Sequence, residues 1–119
     1  MPDLRVLVVE DDPVAAEAHR TYVERLNGFT CVGIAGTAGR ALQVLARGNV
    51  DVVLLDMHIG NERGDALLQE LRQLQIPVAV VTGSADLDSV KGIADAVLGK
   101  PFTIDELEAT VARLAGRDR

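Results

Sequence analysis

Short β-branched runs take turns with longer stretches of helical periodicity along this 119-residue chain, and that alternation constrains the fold more than any other feature. Val6 to Val9 is a continuous apolar run that stops at three acids, Glu10, Asp11 and Asp12. Phe29 to Ala35, Val50 to Leu55, Val78 to Val81 and Ala96 to Leu98 repeat the theme. Strands buried on both faces must be apolar at consecutive positions, as the central runs are here. Strands alternating with helices imply right-handed crossovers and a mostly parallel sheet covered on both sides. The expectation is one doubly wound α/β domain with five strands, spanning residues 1–119.

The helices carry their own start and stop signals. Asp12-Pro13 reads as an N-cap followed by a proline at the first helical position. Ala15, Ala18, Tyr22, Val23 and Leu26 give that helix an apolar face, which puts His19 on the exposed side, and Asn27-Gly28 ends it. Thr37 can cap a second helix with Ala41, Leu42 and Leu45, stopped by Gly48-Asn49. The third carries Leu67, Leu68, Leu71 and Leu74, after a loop from Ile59 to Gly64. Gly83 to Asp95 holds two glycines and many small or acidic residues, so only a short helix around Leu87 to Ile93 fits. Thr103 to Glu106 matches a capping box, ahead of a helix with Leu107, Val111 and Leu114 on one side.

Composition narrows the function. Hydrophobic residues make up 48% of the chain but aromatics only 3%, so the core must be aliphatic. A net charge of −6 repels a phosphate backbone and argues against nucleic-acid binding. Cys31 is the single cysteine, lies in an apolar run, and reads as a small buried residue in a reducing compartment. The N-terminus lacks a signal-peptide pattern and no apolar run approaches membrane-spanning length, so a cytoplasmic domain without a membrane partner is expected.

All strands of a parallel sheet point the same way, and ligands bind in the crevice outside their carboxyl ends. The conspicuous polar residues fall there: Glu10 and Asp11 after the first strand, Asp56 at the third, Thr82 at the fourth, Lys100 after the fifth. Taken singly each has a plain explanation. Asp56 could cap a turn, Glu10 and Asp11 could be a solvated run before a helix, Thr82 could merely end a strand, and Lys100 could be a loop cation. Scattered surface residues would not share one edge of four strands. Three converging carboxylates require either a proton or a cation. All-oxygen ligands suit a hard ion such as Mg²⁺. A carboxylate can also act as a nucleophile in phosphoryl transfer, with metal, Lys and hydroxyl stabilising the transferring oxygens.

The ordered motifs Val8-Val9-Glu10-Asp11-Asp12, Leu54-Leu55-Asp56, Val81-Thr82-Gly83 and Lys100-Pro101-Phe102 resemble the response-regulator receiver family, from Arg5 to about Leu114. The Glu10–Pro13 and Asp56-Met57-His58 segments are similar to receivers of citrate- and dicarboxylate-sensing regulators. The resemblance implies a flavodoxin-like sheet of order 2-1-3-4-5. It implies that Asp56 receives a phosphoryl group from a histidine kinase or a histidine phosphotransfer protein. It further implies Mg²⁺ held by Asp11, Asp56 and the His58 carbonyl, with Glu10 helping through water. Thr82 and Lys100 would contact the phosphoryl oxygens, and Lys100-Pro101 would be a cis peptide. Asp12 is left to cap the first helix. Such a domain is a phosphoacceptor rather than an enzyme, although it catalyses its own phosphorylation and can dephosphorylate slowly.

Three positions depart from that pattern. Val97 stands where receivers usually carry an aromatic, three residues before the lysine, so the family's ring switch is in question. Lys100 follows Thr82 by 18 positions, about one helical turn less than usual, which predicts a shortened fourth helix. Gly60 replaces a common proline and loosens the loop after Asp56. His58 and Ser84 lie two residues beyond Asp56 and Thr82, where receivers tune dephosphorylation. Val97 and the short segment also motivate an alternative, a binding module independent of phosphate. A small phosphatase is disfavoured, because His58 stands where a general acid would be needed. A homodimer and a cut-off transcription-factor receiver are both compatible with the chain.

Overall fold

The computed structural model describes residues 3–59, 62–63, 65–83 and 94–116. Within them the chain runs β1 (Leu4–Val9), α1 (Pro13–Arg25), β2 (Phe29–Ala35), α2 (Ala38–Leu45), β3 (Val52–Asp56), the two-residue pair β4 (His58–Ile59) and β5 (Glu62–Arg63), α3 (Asp65–Gln73), β6 (Val78–Thr82), β7 (Ala96–Gly99) and α4 (Ile104–Leu114). The main sheet has five strands in the order β2-β1-β3-β6-β7, all parallel. Counted within that sheet alone, this is the expected 2-1-3-4-5. The small antiparallel β4–β5 pair was not anticipated and takes the place of a plain loop after β3. The short helix expected around 87–93 lies outside the described residues.

Alternation along the strands divides the core into two layers. Leu7, Val9, Val53, Leu55, Val78 and Val80 face one side and pack with Ala41 and Leu45 of α2 and Leu67, Leu68 and Leu71 of α3. Val6, Val8, Val52, Leu54, Ala79 and Val81 face the other and pack with Val23 and Leu26 and with Leu107 and Val111 of α4. The core is aliphatic apart from Phe29 and the ring of His19. Residues pointing alternately into two apolar layers explain why the central strands show no polar position until they end.

The predicted caps are present. The Asp12 side chain accepts from Val14 N at 3.1 Å, and the Thr103–Glu106 box has both of its reciprocal hydrogen bonds. After α1 the chain turns through Gly28, whose φ of 91° suits a residue without a Cβ. At the opposite edge from the polar residues, Arg5 and Asp51 tie the starts of β1 and β3 together. Asp51 Oδ2 accepts from the Arg5 amide at 2.8 Å and from Nε at 3.1 Å, and Oδ1 accepts from Nη2 at 3.2 Å.

Several side-chain expectations need correcting. The buried stripe of α1 is Ala16, His19 and Val23, so His19 faces inward while Ala18 is exposed. Leu74 is 52% exposed because α3 stops at Gln73 and the chain turns through Gln75 at a φ of 58°. Leu42 is also partly exposed. Cys31 is half-buried rather than buried, with its thiol donating to the Gly33 carbonyl at 3.3 Å.

Candidate functional site

Backbone pairing continues just past the strand ends and fixes the site residues beside one another. Glu10 N donates to Ala35 O at 2.9 Å, Met57 N to Val81 O at 3.2 Å, and Lys100 N to Thr82 O at 2.8 Å. Four neighbouring chain segments therefore deliver Glu10, Asp56, Thr82 and Lys100 to one edge of the sheet. Met57, next to the acceptor candidate, is fully buried and serves packing.

Three of these side chains are buried in an aliphatic setting: Glu10 is 3% exposed, Asp56 6% and Thr82 1%. Acids rarely occupy such positions unless paired. Asp56 has its partner in Lys100, whose Nζ lies 3.1 Å from Oδ2 and whose stem comes in from the solvent side. Glu10 is less well served. Its Oε2 accepts from Asp12 N at 3.1 Å, but Oε1 is buried without a donor. The group beside it is the Asp56 carboxyl, which is another acceptor. Two such groups can bond only by sharing a proton or a cation. Burial first, and the Asp56 carboxyl second, push the Glu10 pKa up to about 8. The Thr82 hydroxyl oxygen is likewise buried with no hydrogen-bond partner. Two orphaned oxygens at the same edge are unusual in a folded protein, where buried polar atoms are nearly always satisfied.

The remaining predicted residues divide. Asp11 follows Glu10 but its side chain is exposed, because the chain there is already turning toward the cap of α1. Two of the three expected carboxylates thus meet, and among the described residues no three His, Cys, Asp or Glu side chains are grouped to hold an ion. The His58 backbone sits in β4, two residues past Asp56; Ser84 lies outside the described residues. Val97 pairs with Val80 in the sheet and packs, half-buried, against the α2–α3 layer. The Lys100-Pro101 bond is cis. Oxygen donors from Glu10 and Asp56, the unpartnered Glu10 Oε1 and the adjoining Asp11 suit a hard cation such as Mg²⁺ in chemistry and charge.

Sequence reasoning missed one neighbour of the site. The His19 ring meets Phe102 at a tilt, 5.5 Å between centroids, and Tyr22 meets the same ring edge-on at 6.2 Å. The signal was present: Ala16, His19, Val23 and Leu26 follow the i, i+3, i+7 spacing of a buried helical stripe.

The sequence profile of the response regulator receiver domain family matches residues 6–112. The chain belongs to the response regulator receiver family. The receiver is 31% identical to the receiver domain of the Francisella response regulator 1452, with a TM-score of 0.81 over 98% of this chain and 100% of that one. It is 32% identical to a protein named "Probable C4-dicarboxylate response regulator DctR" from Halalkalibacterium halodurans, covering 94% of this chain and 51% of the relative. Identity is also 32% to the transcriptional regulatory protein MalR of Bacillus subtilis, over 92% and 49% of the two chains. The receiver spans about half the length of these curated relatives. Domains of this family are the signalling modules of two-component systems, where response regulators interact with histidine kinases, and they generally use Mg²⁺. Among the described residues no helix is long and apolar enough to cross a membrane.

Proposed function

We propose that this receiver accepts a phosphoryl group on Asp56 from the phosphohistidine of a histidine kinase or histidine phosphotransfer protein. The observation that carries the reading is Asp56 itself: a buried carboxylate held by Lys100 at 3.1 Å, beside Glu10 and an unpartnered Thr82 hydroxyl. An Asp56 oxygen attacks phosphorus, the phosphorus–nitrogen bond of the donor breaks, and the freed imidazole takes a proton. Lys100 remains close enough to balance charge on the phosphoryl oxygens, and the Thr82 hydroxyl has a hydrogen to donate to one of them. Asp56, Asp11, Glu10 and the His58 carbonyl would hold Mg²⁺, which supplies charge neutralisation at the transferring group. The receiver acts on itself rather than turning over a substrate, and slow loss of the phosphoryl group to water returns it to the starting state. We assign it to the cytoplasm, where kinase domains of two-component systems work.

The test is incubation of the purified chain with radiolabelled acetyl phosphate, with and without Mg²⁺. Label that requires Mg²⁺ and vanishes in Asp56→Ala supports the reading; label absent from the native chain, or surviving in Asp56→Ala, overturns it. Val97 favours a second reading, a binding module whose surface does not respond to phosphate, since no ring is available at that position to follow Thr82. Identical partner binding by the phosphorylated and unphosphorylated receiver would favour that reading.

A further inference from the structure

Lys100 reaches Asp56 on a flexible stem that is 41% exposed. Many rotamers of such a side chain point into solvent, so the 3.1 Å approach depends on how the backbone carrying it is held. One side is fixed by the sheet, through Lys100 N to Thr82 O. The other side leaves the sheet as Pro101-Phe102 and is fixed by α1. There the Phe102 ring packs against His19, tilted at 38°, and against Tyr22, nearly perpendicular. His19 is only 9% exposed, and it lines the same open groove of about 510 Å³ as Tyr22, Lys100 and Phe102. Burial, and then the nearby Lys100 charge, hold the imidazole below its ordinary pKa, while Asp56 pulls it the other way. Burial and the Lys100 charge both favour the neutral ring, an aromatic plate that does not repel the lysine.

We propose that His19 is a positioning residue for phosphoryl transfer: packed against Phe102, it holds the Lys100–Phe102 segment so that the ammonium meets Asp56. The inference rests on Asp56 being the acceptor. It assigns α1 a part in the chemistry of an edge otherwise built from strand ends. A bystander ring in the core would share the burial, but it would not act through Lys100.

The experiment measures the initial rate of Mg²⁺-dependent labelling by acetyl phosphate in the full chain, in five forms: native, His19→Ala, His19→Phe, Lys100→Ala, and His19→Ala with Lys100→Ala. His19→Ala is expected to slow labelling about tenfold, since misplacing a charge-stabilising group is costly in rate. His19→Phe keeps an aromatic plate and should stay within about twofold of the native rate. In the Lys100→Ala background, His19→Ala should add no further loss, because residues acting through one another are not additive. A native rate in His19→Ala, or the same loss with and without Lys100, overturns the proposal. If His19→Ala does not melt cooperatively, His19→Leu takes its place: it fills the volume without the ring contact, and a native rate there is equally fatal. Failure of the native chain to label at all removes the acceptor reading and this inference together; labelling that ignores position 19 removes only the inference.

Discussion

Replacing Thr82 with Val removes a hydroxyl that is 1% exposed and has no hydrogen-bond partner, while keeping the branched shape of the side chain. A buried polar atom left unsatisfied costs a protein roughly 1–3 kcal/mol, and the new methyl contributes up to about 0.8 kcal/mol of apolar burial. Allowing for the hydroxyl hydrogen finding some weak acceptor, the variant should be more stable by about 1–2 kcal/mol. Unfolding entropy near 2.1 cal/mol/K per residue, over this chain, makes that a rise in Tm of about 4–8 °C, read by circular dichroism in the absence of Mg²⁺. The same substitution should slow labelling by acetyl phosphate about tenfold, because the hydroxyl proposed to donate to the phosphoryl oxygens is gone. Stability and activity then move in opposite directions from a single atom. A Thr82→Val protein that melts at or below the native temperature would show that the hydroxyl is satisfied in solution. One that labels at the native rate would show that Thr82 does not touch the phosphoryl group.

Three further outcomes follow from the same structure. Arg5 holds the Asp51 carboxyl below its ordinary pKa, so its stabilisation is present above the unfolded-state value near 3.9 and is lost as pH falls through the lower folded value. Asp51→Asn should cost about 1 kcal/mol at neutral pH, a modest figure because Arg5 is partly exposed, and urea titrations of the two proteins should converge once pH has fallen below the lowered folded value. Leu71→Ala empties a fully buried position between α3 and the sheet and should cost about 2–5 kcal/mol in urea unfolding. Thr103→Ala removes the hydroxyl that accepts from Glu106 N, while the backbone N–H at 103 can still donate to Glu106 Oε1, and should cost about 1 kcal/mol by the same measurement, leaving labelling at Asp56 unchanged.

The sheet was legible in the chain because its strands are buried on both faces: Val52 to Leu55 admits no polar residue, and the first one that appears, Asp56, marks the functional edge. The cap at Asp12 and the box at Thr103 were legible because capping is local chemistry, written within four residues. Side-chain direction on helices was harder. In α1, Tyr22 and the alanines suggested one face, and the structure buries the stripe through His19 instead, because α1 must lay Val23 and Leu26 on β-strand residues Val6 and Val8. The meeting of Glu10 with Asp56, but not with Asp11, is a matter of where the strand ends and the turn begins, which residue identity alone does not encode. The β4–β5 pair escaped notice because two-residue strands carry no periodicity.

The aromatic cluster at the mouth of the groove has a practical side. This protein has no tryptophan and a single tyrosine, so ultraviolet emission excited near 280 nm arises from Tyr22 alone. That fluorophore lies against Phe102, two residues along the chain from the lysine that holds Asp56. The molecule thus carries a built-in optical reporter beside the Lys100–Asp56 pair, with no second emitter to dilute the signal and no label to attach.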